Sequence, residues 1–125
     1  SLPTSFSGAV NCMAFAPNLP LLATGHYDGV IRIWDVSTGL VMTTFDTRSN
    51  SVIESLAFSP DGQLLASGES YAANLVRLWE VDSGELLRSL EGHQSGVVDL
   101  RFSPDSRFLA SGSYDGLVRF WGLRP

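Results

Sequence analysis

Lysine is absent from this 125-residue sequence: all eight basic residues are arginine, set against 13 carboxylates, for a formal charge of −5. A nucleic-acid binder needs clustered positive charge to displace counterions from phosphates. No such cluster occurs, which argues against DNA or RNA as the main partner. Cys12 is the one cysteine, so no intramolecular disulfide can form. It lies in the apolar segment Ala9–Phe15 and reads as a small buried hydrophobe, and a lone thiol suits a reducing compartment. No apolar run approaches the ~20 residues that cross a bilayer, and no charged-then-apolar signal opens the chain. A soluble, cytoplasmic protein with no membrane contact is expected. Charged residues are scarce at 17% and hydrophobic ones make up 44%, which excludes a disordered segment and is enough to fill a core.

The sequence repeats itself. Trp34, Trp79 and Trp121 recur at spacings of 45 and 42, and Phe15, Phe58 and Phe102 at 43 and 44. Leu22-Ala23-Thr24-Gly25 is answered by Leu65-Ala66-Ser67-Gly68 and Leu109-Ala110-Ser111-Gly112. Val30-Ile31-Arg32-Ile33-Trp34 is answered by Leu75-Val76-Arg77-Leu78-Trp79 and Leu117-Val118-Arg119-Phe120-Trp121. Self-similarity at this period signals a tandem array.

Each unit reads as short strands separated by turns. First strands are expected at Val10–Ala16, Val52–Phe58 and Val97–Phe102, and second strands at Leu21–Gly25, Leu64–Gly68 and Phe108–Gly112. The third strands carry the tryptophans, and fourth strands follow at Leu40–Phe45 and Glu85–Leu90. Ser59-Pro60-Asp61-Gly62 and Ser103-Pro104-Asp105-Ser106 are tight turns in which proline presets φ and Asp or Gly accommodates the bend. Apolar residues fill both parities of the strands, so the sheets should be buried on both faces. Sheets stacked face to face in this way form a radial β-propeller. The Trp34-Asp35 and Gly92-His93 pairs, with the Ser-Pro-Asp and Ser-Gly-x-x-Asp-Gly segments, resemble WD40 repeats over essentially the whole chain.

The resemblance implies an all-β fold of three four-stranded antiparallel blades in a single array over 1–125. Blade one covers about 7–45, blade two about 46–90, and blade three about 91–125. Leu2-Pro3-Thr4-Ser5-Phe6 would supply the fourth strand of the third blade. It also implies a structural hydrogen-bond network in each blade: His93, Ser111, Asp115 and Trp121 in blade three; Thr24, Asp28 and Trp34 in blade one, with no histidine in place; and Ser67 and Trp79 in blade two. In blade two, Ala73 stands where the turn Asp belongs and Asn74 where Gly does, and Asn is suited to the positive φ of that site. Arg32, Arg77 and Arg119 precede the tryptophans by two residues and are expected to pack their stems between blades.

A His–Ser–Asp set can suggest a hydrolase, but no nucleophile elbow accompanies it. The inner strands offer only Asn11, Glu54 and Asp99 as polar candidates for a central-channel site. No catalytic residue, cofactor or metal cluster is expected. The resemblance implies a non-catalytic platform for proteins or peptides, with His26, Tyr27, Asn50, Tyr71, Gln94, Ser95, Ser113 and Tyr114 on the loop face. Three blades cannot close a ring. With about six large apolar side chains at ~2 kcal/mol each, an uncovered flank leaves roughly 12 kcal/mol unrealised, as much as the whole stability of a domain, about 5–15 kcal/mol. Self-association into a ring of six blades (two copies) or nine (three copies) is expected, partly through exchange of the N-terminal strand. A piece of a larger multidomain signalling propeller would carry the same sequence, and a ligand-binding or enzymatic propeller is a further alternative.

Overall fold

A computed structural model describes residues 8–71 and 73–123. They form eleven strands and no helix. The first sheet comprises β1 (Val10–Phe15), β2 (Leu21–His26), β3 (Val30–Asp35) and β4 (Leu40–Asp46). The second comprises β5 (Val52–Phe58), β6 (Leu64–Ser70), β7 (Val76–Glu80) and β8 (Leu86–Leu90). The third comprises β9 (Val97–Phe102), β10 (Phe108–Ser113) and β11 (Val118–Gly122). Each is an antiparallel meander in chain order. These are propeller blades. The expected closing strand at residues 2–6 lies outside the described residues, among which the third sheet has three strands.

Turn chemistry sets where the strands begin. Ser59 Oγ donates to Asp61 Oδ1 at 2.6 Å and accepts from the Leu64 amide at 3.0 Å, while Gly62 takes the left-handed φ of +75°. Ser103, Asp105 and Ser106 repeat this geometry, with Ser106 at φ +62°. The hydroxyl donors hold the carboxyls of Asp61 and Asp105 below the usual range. Among the described residues of the β6–β7 connection Tyr71 is left-handed, at φ +75°, whereas Asn74, expected there, is not. Trp79 follows Gly68 by 11 residues, whereas Trp34 follows Gly25 and Trp121 follows Gly112 by nine, and these two extra residues shift the bend towards the end of β6.

The blades stack through their flat faces. Ala23, Ile31, Ile33 and Phe45 of blade one meet Ile53, Phe58, Leu65 and Trp79 of blade two, with the Phe45 and Trp79 rings stacked at 5.0 Å. Ala66, Val76, Leu78 and Leu90 meet Val97, Leu100 and Leu109 of blade three. The first strands come closest, β1 beside β5 and β5 beside β9, because small residues face them. A Cβ added to Gly25 would lie 2.4 Å from Ile53 Cγ2, and one added to Gly68 would lie 2.7 Å from Val97 Cγ1. A Cβ added to the equivalent Gly112 would meet no atom within 4 Å.

That glycine marks an open flank. Leu78 is 4% exposed, but its counterpart Phe120 is 74% exposed. On the opposite side Leu100 is 2% exposed and its counterpart Met13 is 63% exposed. Side chains that are buried between blades are thus uncovered where the array stops.

Because overpacking of this kind costs about 1–3 kcal/mol, Gly68→Ala should lower the urea-unfolding free energy by about that amount. An unchanged unfolding midpoint would mean that blades two and three do not meet as described.

Candidate functional site

In blade three, Trp121 Nε1 donates to Ser111 Oγ at 2.9 Å, and His93 Nε2 lies 2.7 Å from the same oxygen. His93 Nδ1 is 3.0 Å from Asp115 Oδ2, which also accepts from the Gln94 amide at 3.0 Å. The tautomer follows from donor counting. Since Ser111 receives the indole N–H, its own proton goes to Nε2, and Nδ1–H donates to the carboxylate. Asp115 Oδ1 further accepts from the Leu117 amide at 2.8 Å. The Gln94 amide first, and then the other donors, hold the Asp115 pKa down to about 2. Ser111 is fully buried, and its Oγ is engaged by both the indole and the imidazole.

Blade one builds the same cluster differently. Trp34 Nε1 donates to Thr24 Oγ1 at 2.9 Å, and His26 Nε2 lies 2.9 Å from that oxygen. Two sequence expectations are corrected here. Blade one does have its histidine, supplied from within β2 rather than from a preceding loop. His26 is therefore no loop-face residue: it is 1% exposed, and its Nδ1 bonds the Gly8 carbonyl at 2.9 Å. Residues i and i+2 of a strand share a face, which places His26 beside Thr24. Among the described residues Asp28 accepts from the Val30 amide, at 3.2 Å, in its turn.

Blade two substitutes an ion pair. Trp79 Nε1 donates to Ser67 Oγ at 3.0 Å. Two residues on, Glu69 is fully buried, salt-bridged to Arg77 and accepting from Ser49 Oγ at 3.0 Å. A buried carboxylate needs such partners. Sequence reading missed Glu69, although the Thr-x-His and Ser-x-Glu spacing was there to find it.

The remaining loop-face candidates separate into two groups. Tyr71, Gln94, Ser95 and Tyr114 converge with Glu54, Ser70, Asn74 and Gly96 around a cavity of about 450 Å³ at the junction of blades two and three. Tyr71 is 82% exposed and Tyr114 70%. The left-handed backbone of Tyr71 costs roughly 1–2 kcal/mol and holds its ring outward. Tyr27, Asn50 and Ser113 lie outside the cavity. Tyr27 and Asn50 are exposed, and Ser113 Oγ bonds the Ser95 carbonyl at 3.1 Å.

Glu54 reaches the cavity through backbone irregularity. The register slips between Ile53 and Ser55, leaving Glu54 as the extra residue of a bulge, a device that re-aims a side chain. Asn11 is the matching residue of β1. Its Nδ2 donates to Glu54 Oε1 at 2.7 Å and to the Ile53 carbonyl at 3.0 Å. Asp99 stands apart, exposed beside Arg101. Burial, and secondarily the Glu54 charge, raise the Cys12 thiol pKa to about 12, which removes it as a nucleophile. Among the described residues no group of His, Cys, Asp and Glu could hold a metal ion, and no helix is long and apolar enough to span a membrane.

A family profile, "WD domain, G-beta repeat", matches residues 1–35, 39–80 and 84–122. The chain is 40% identical to human "WD repeat and SOCS box-containing protein 1", covering 98% of the chain and 30% of that protein. It is 36% identical to bovine "Transducin beta-like protein 3", over 92% of the chain and 14% of that protein. It is 31% identical to "B-type cell cycle switch protein ccs52B" of Medicago truncatula, over 98% of the chain and 25% of that protein. The chain thus spans less than a third of each of these relatives.

Two outcomes test the network. Ser111→Ala leaves Trp121 Nε1 and His93 Nε2 without their partner, though His93 Nδ1 keeps Asp115, and should cost about 1–3 kcal/mol in chemical denaturation. The depressed Asp115 pKa contributes stability above its unfolded value of 3.8, and this is lost as pH falls towards about 2. Asp115→Asn should therefore flatten that part of the thermal-stability profile. An unaltered acid limb would remove Asp115 from the folded-state network.

Proposed function

The chain belongs to the WD40 repeat family, and from that premise we propose that it is a non-catalytic scaffold whose loop face docks proteins or peptides. The observation that carries this reading is the contrast between the two polar systems. The His–Ser–Asp atoms satisfy one another inside the blades, whereas Tyr71 and Tyr114 stand exposed around an open cavity. Tyrosine supplies rigid contact area with a polar tip, as interface anchors do. Tyr27 extends this surface on blade one. Neither nucleic acid nor membrane is a partner in this reading, and the single thiol suits the cytoplasm.

We further propose that the array of residues 1–125 works as part of a closed ring, with residues 2–6 completing the third blade. Two readings of the ring have support. Val10 is the counterpart of Ile53 and Val97, the residues that face Gly25 and Gly68. Another copy would thus bring Val10 to Gly112, closing six or nine blades from two or three chains. The second reading is a larger propeller in a multidomain protein, supported by the 30% share of the human relative that the chain spans.

Light scattering separates them: a species of two or three times 13.5 kDa supports self-closure. Gly112→Ala should then dissociate it while leaving the single chain's stability nearly unchanged. A stable lone 13.5 kDa chain overturns self-closure. The docking reading is tested by panning a random peptide library against the chain. Binders should lose affinity for a Tyr27→Ala, Tyr71→Ala, Tyr114→Ala triple variant. Equal binding to that variant overturns the loop-face site.

A further inference from the structure

We propose that the cavity between blades two and three is a receptor for a cationic side chain, specifically an arginine from the docked polypeptide. This rests on the docking reading above but goes beyond it, assigning the chemistry of one subsite.

Three observations bear on it. Glu54 brings a carboxylate to the cavity from the bulge of β5, and among the described residues its hydrogen-bond partner is the neutral amide of Asn11. Among the described residues no arginine lines the cavity, so the charge of Glu54 is left for an incoming cation. The second is Ser70, which also lines the cavity. It is 7% exposed, and its buried Oγ has no hydrogen-bond partner. A buried hydroxyl without a partner is unfavourable, and an N–H donor from a ligand would complete it. The third is the pair of exposed rings, Tyr71 and Tyr114. Aromatic faces attract cations, and a planar guanidinium stacks on them better than an ammonium does.

The parts fit one occupant. A guanidinium presents five donors in a plane, enough to reach both a carboxylate and a hydroxyl while its face lies on a ring. An ammonium offers charge without the plane. Behind the cavity wall the Gln94 amide holds the ionised Asp115, adding negative potential. The chain's net charge of −5 has the same sign. Gly96 lets the cavity wall close on Ser70 and Tyr114: a Cβ there would come within 2.7 Å of Ser70 Cβ.

The experiment uses the full chain and capped amino acids (N-acetyl-arginine, -lysine and -glutamate methylamides), followed by amide chemical shifts. Arginine should move the Ser70, Gln94 and Gly96 resonances saturably, lysine should bind more weakly, and glutamate should leave them in place. Glu54→Gln keeps the acceptor for Asn11 but removes the charge, and should weaken arginine binding roughly three- to tenfold. Ser70→Ala, a smaller change that leaves the Gly96 contact intact, should weaken it by roughly two- to fivefold. Unaltered spectra elsewhere show that either variant remains folded. Equal shifts from the glutamate probe, or full affinity in Glu54→Gln, overturn the proposal, and equal affinity for lysine overturns the choice of arginine. Peptides that bind the tyrosine face regardless of arginine content leave the docking site standing and sink only this subsite. Conversely, an arginine response without any peptide binder overturns the docking reading, and with it the polypeptide source of the arginine, and leaves the cavity as a site for a free guanidinium.

Discussion

Close approach between neighbouring sheets governs this protein. The second strands of blades one and two each place a glycine where the first strand of the next blade presents a β-branched residue, Gly25 against Ile53 and Gly68 against Val97. With no Cβ in the way, the inner edges converge while the outer strands splay, and the sheets become wedges. The apolar faces can then interdigitate at the density of a protein interior. The polar clusters at Trp34, Trp79 and Trp121 inherit their burial from that contact, and burial is what obliges each of their donors and acceptors to find a partner.

The three clusters show how loosely that obligation constrains chemistry. The fixed part is an indole N–H donating to a hydroxyl one strand away. What completes the hydroxyl varies: a loop histidine backed by a carboxylate in blade three, a strand histidine backed by a carbonyl in blade one. In blade two the position two residues beyond the hydroxyl holds a carboxylate balanced by an arginine. In blades one and three the hydroxyl both accepts from the indole and bonds a histidine ring nitrogen. A hydrolytic serine needs an accessible oxygen and a place for the developing oxyanion, and Ser111 has neither the exposure nor the free valence.

Much of this was legible in the sequence, because the repeat is written in residues whose roles are local. Tryptophans at a period near 43, Ser-Pro-Asp turns and Asp-Gly turns fixed the strands to within a residue or two, and the Ser111–His93–Asp115 set was identifiable as a unit. The misreadings fall where a residue's role depends on its neighbours in space. His26 looked like a loop residue because it adjoins Tyr27 and Asp28, yet strand periodicity turns it inward beside Thr24. Glu69 passed unnoticed, since its partner Arg77 is on the adjacent strand. The left-handed bend fell on Tyr71 rather than Asn74 because the inserted residues moved the turn. The convergence of Glu54, Ser70 and two tyrosines depends on a bulge and on the blade stacking, neither of which is a local property.

The open flank of blade three carries its own information about what covers it. At the two internal junctions, Cys12 Sγ and Ser55 Oγ donate across to the next blade, to the carbonyls of Ile53 at 3.3 Å and Val97 at 2.9 Å. The third residue of that row is Asp99, whose carboxylate can only accept. Gly112, Val118 and Phe120 otherwise offer the same small-and-apolar face as their counterparts in the first two blades. A neighbour that presents a carbonyl to Asp99, as the Val10 carbonyl of another copy would by the same equivalence, sets two acceptors against each other in a closing interface. A neighbour that offers a donor at that point converts the same contact into a charge-assisted hydrogen bond. The flank is therefore shaped for a blade of the same kind and is chemically better suited to one that differs from blade one at this row.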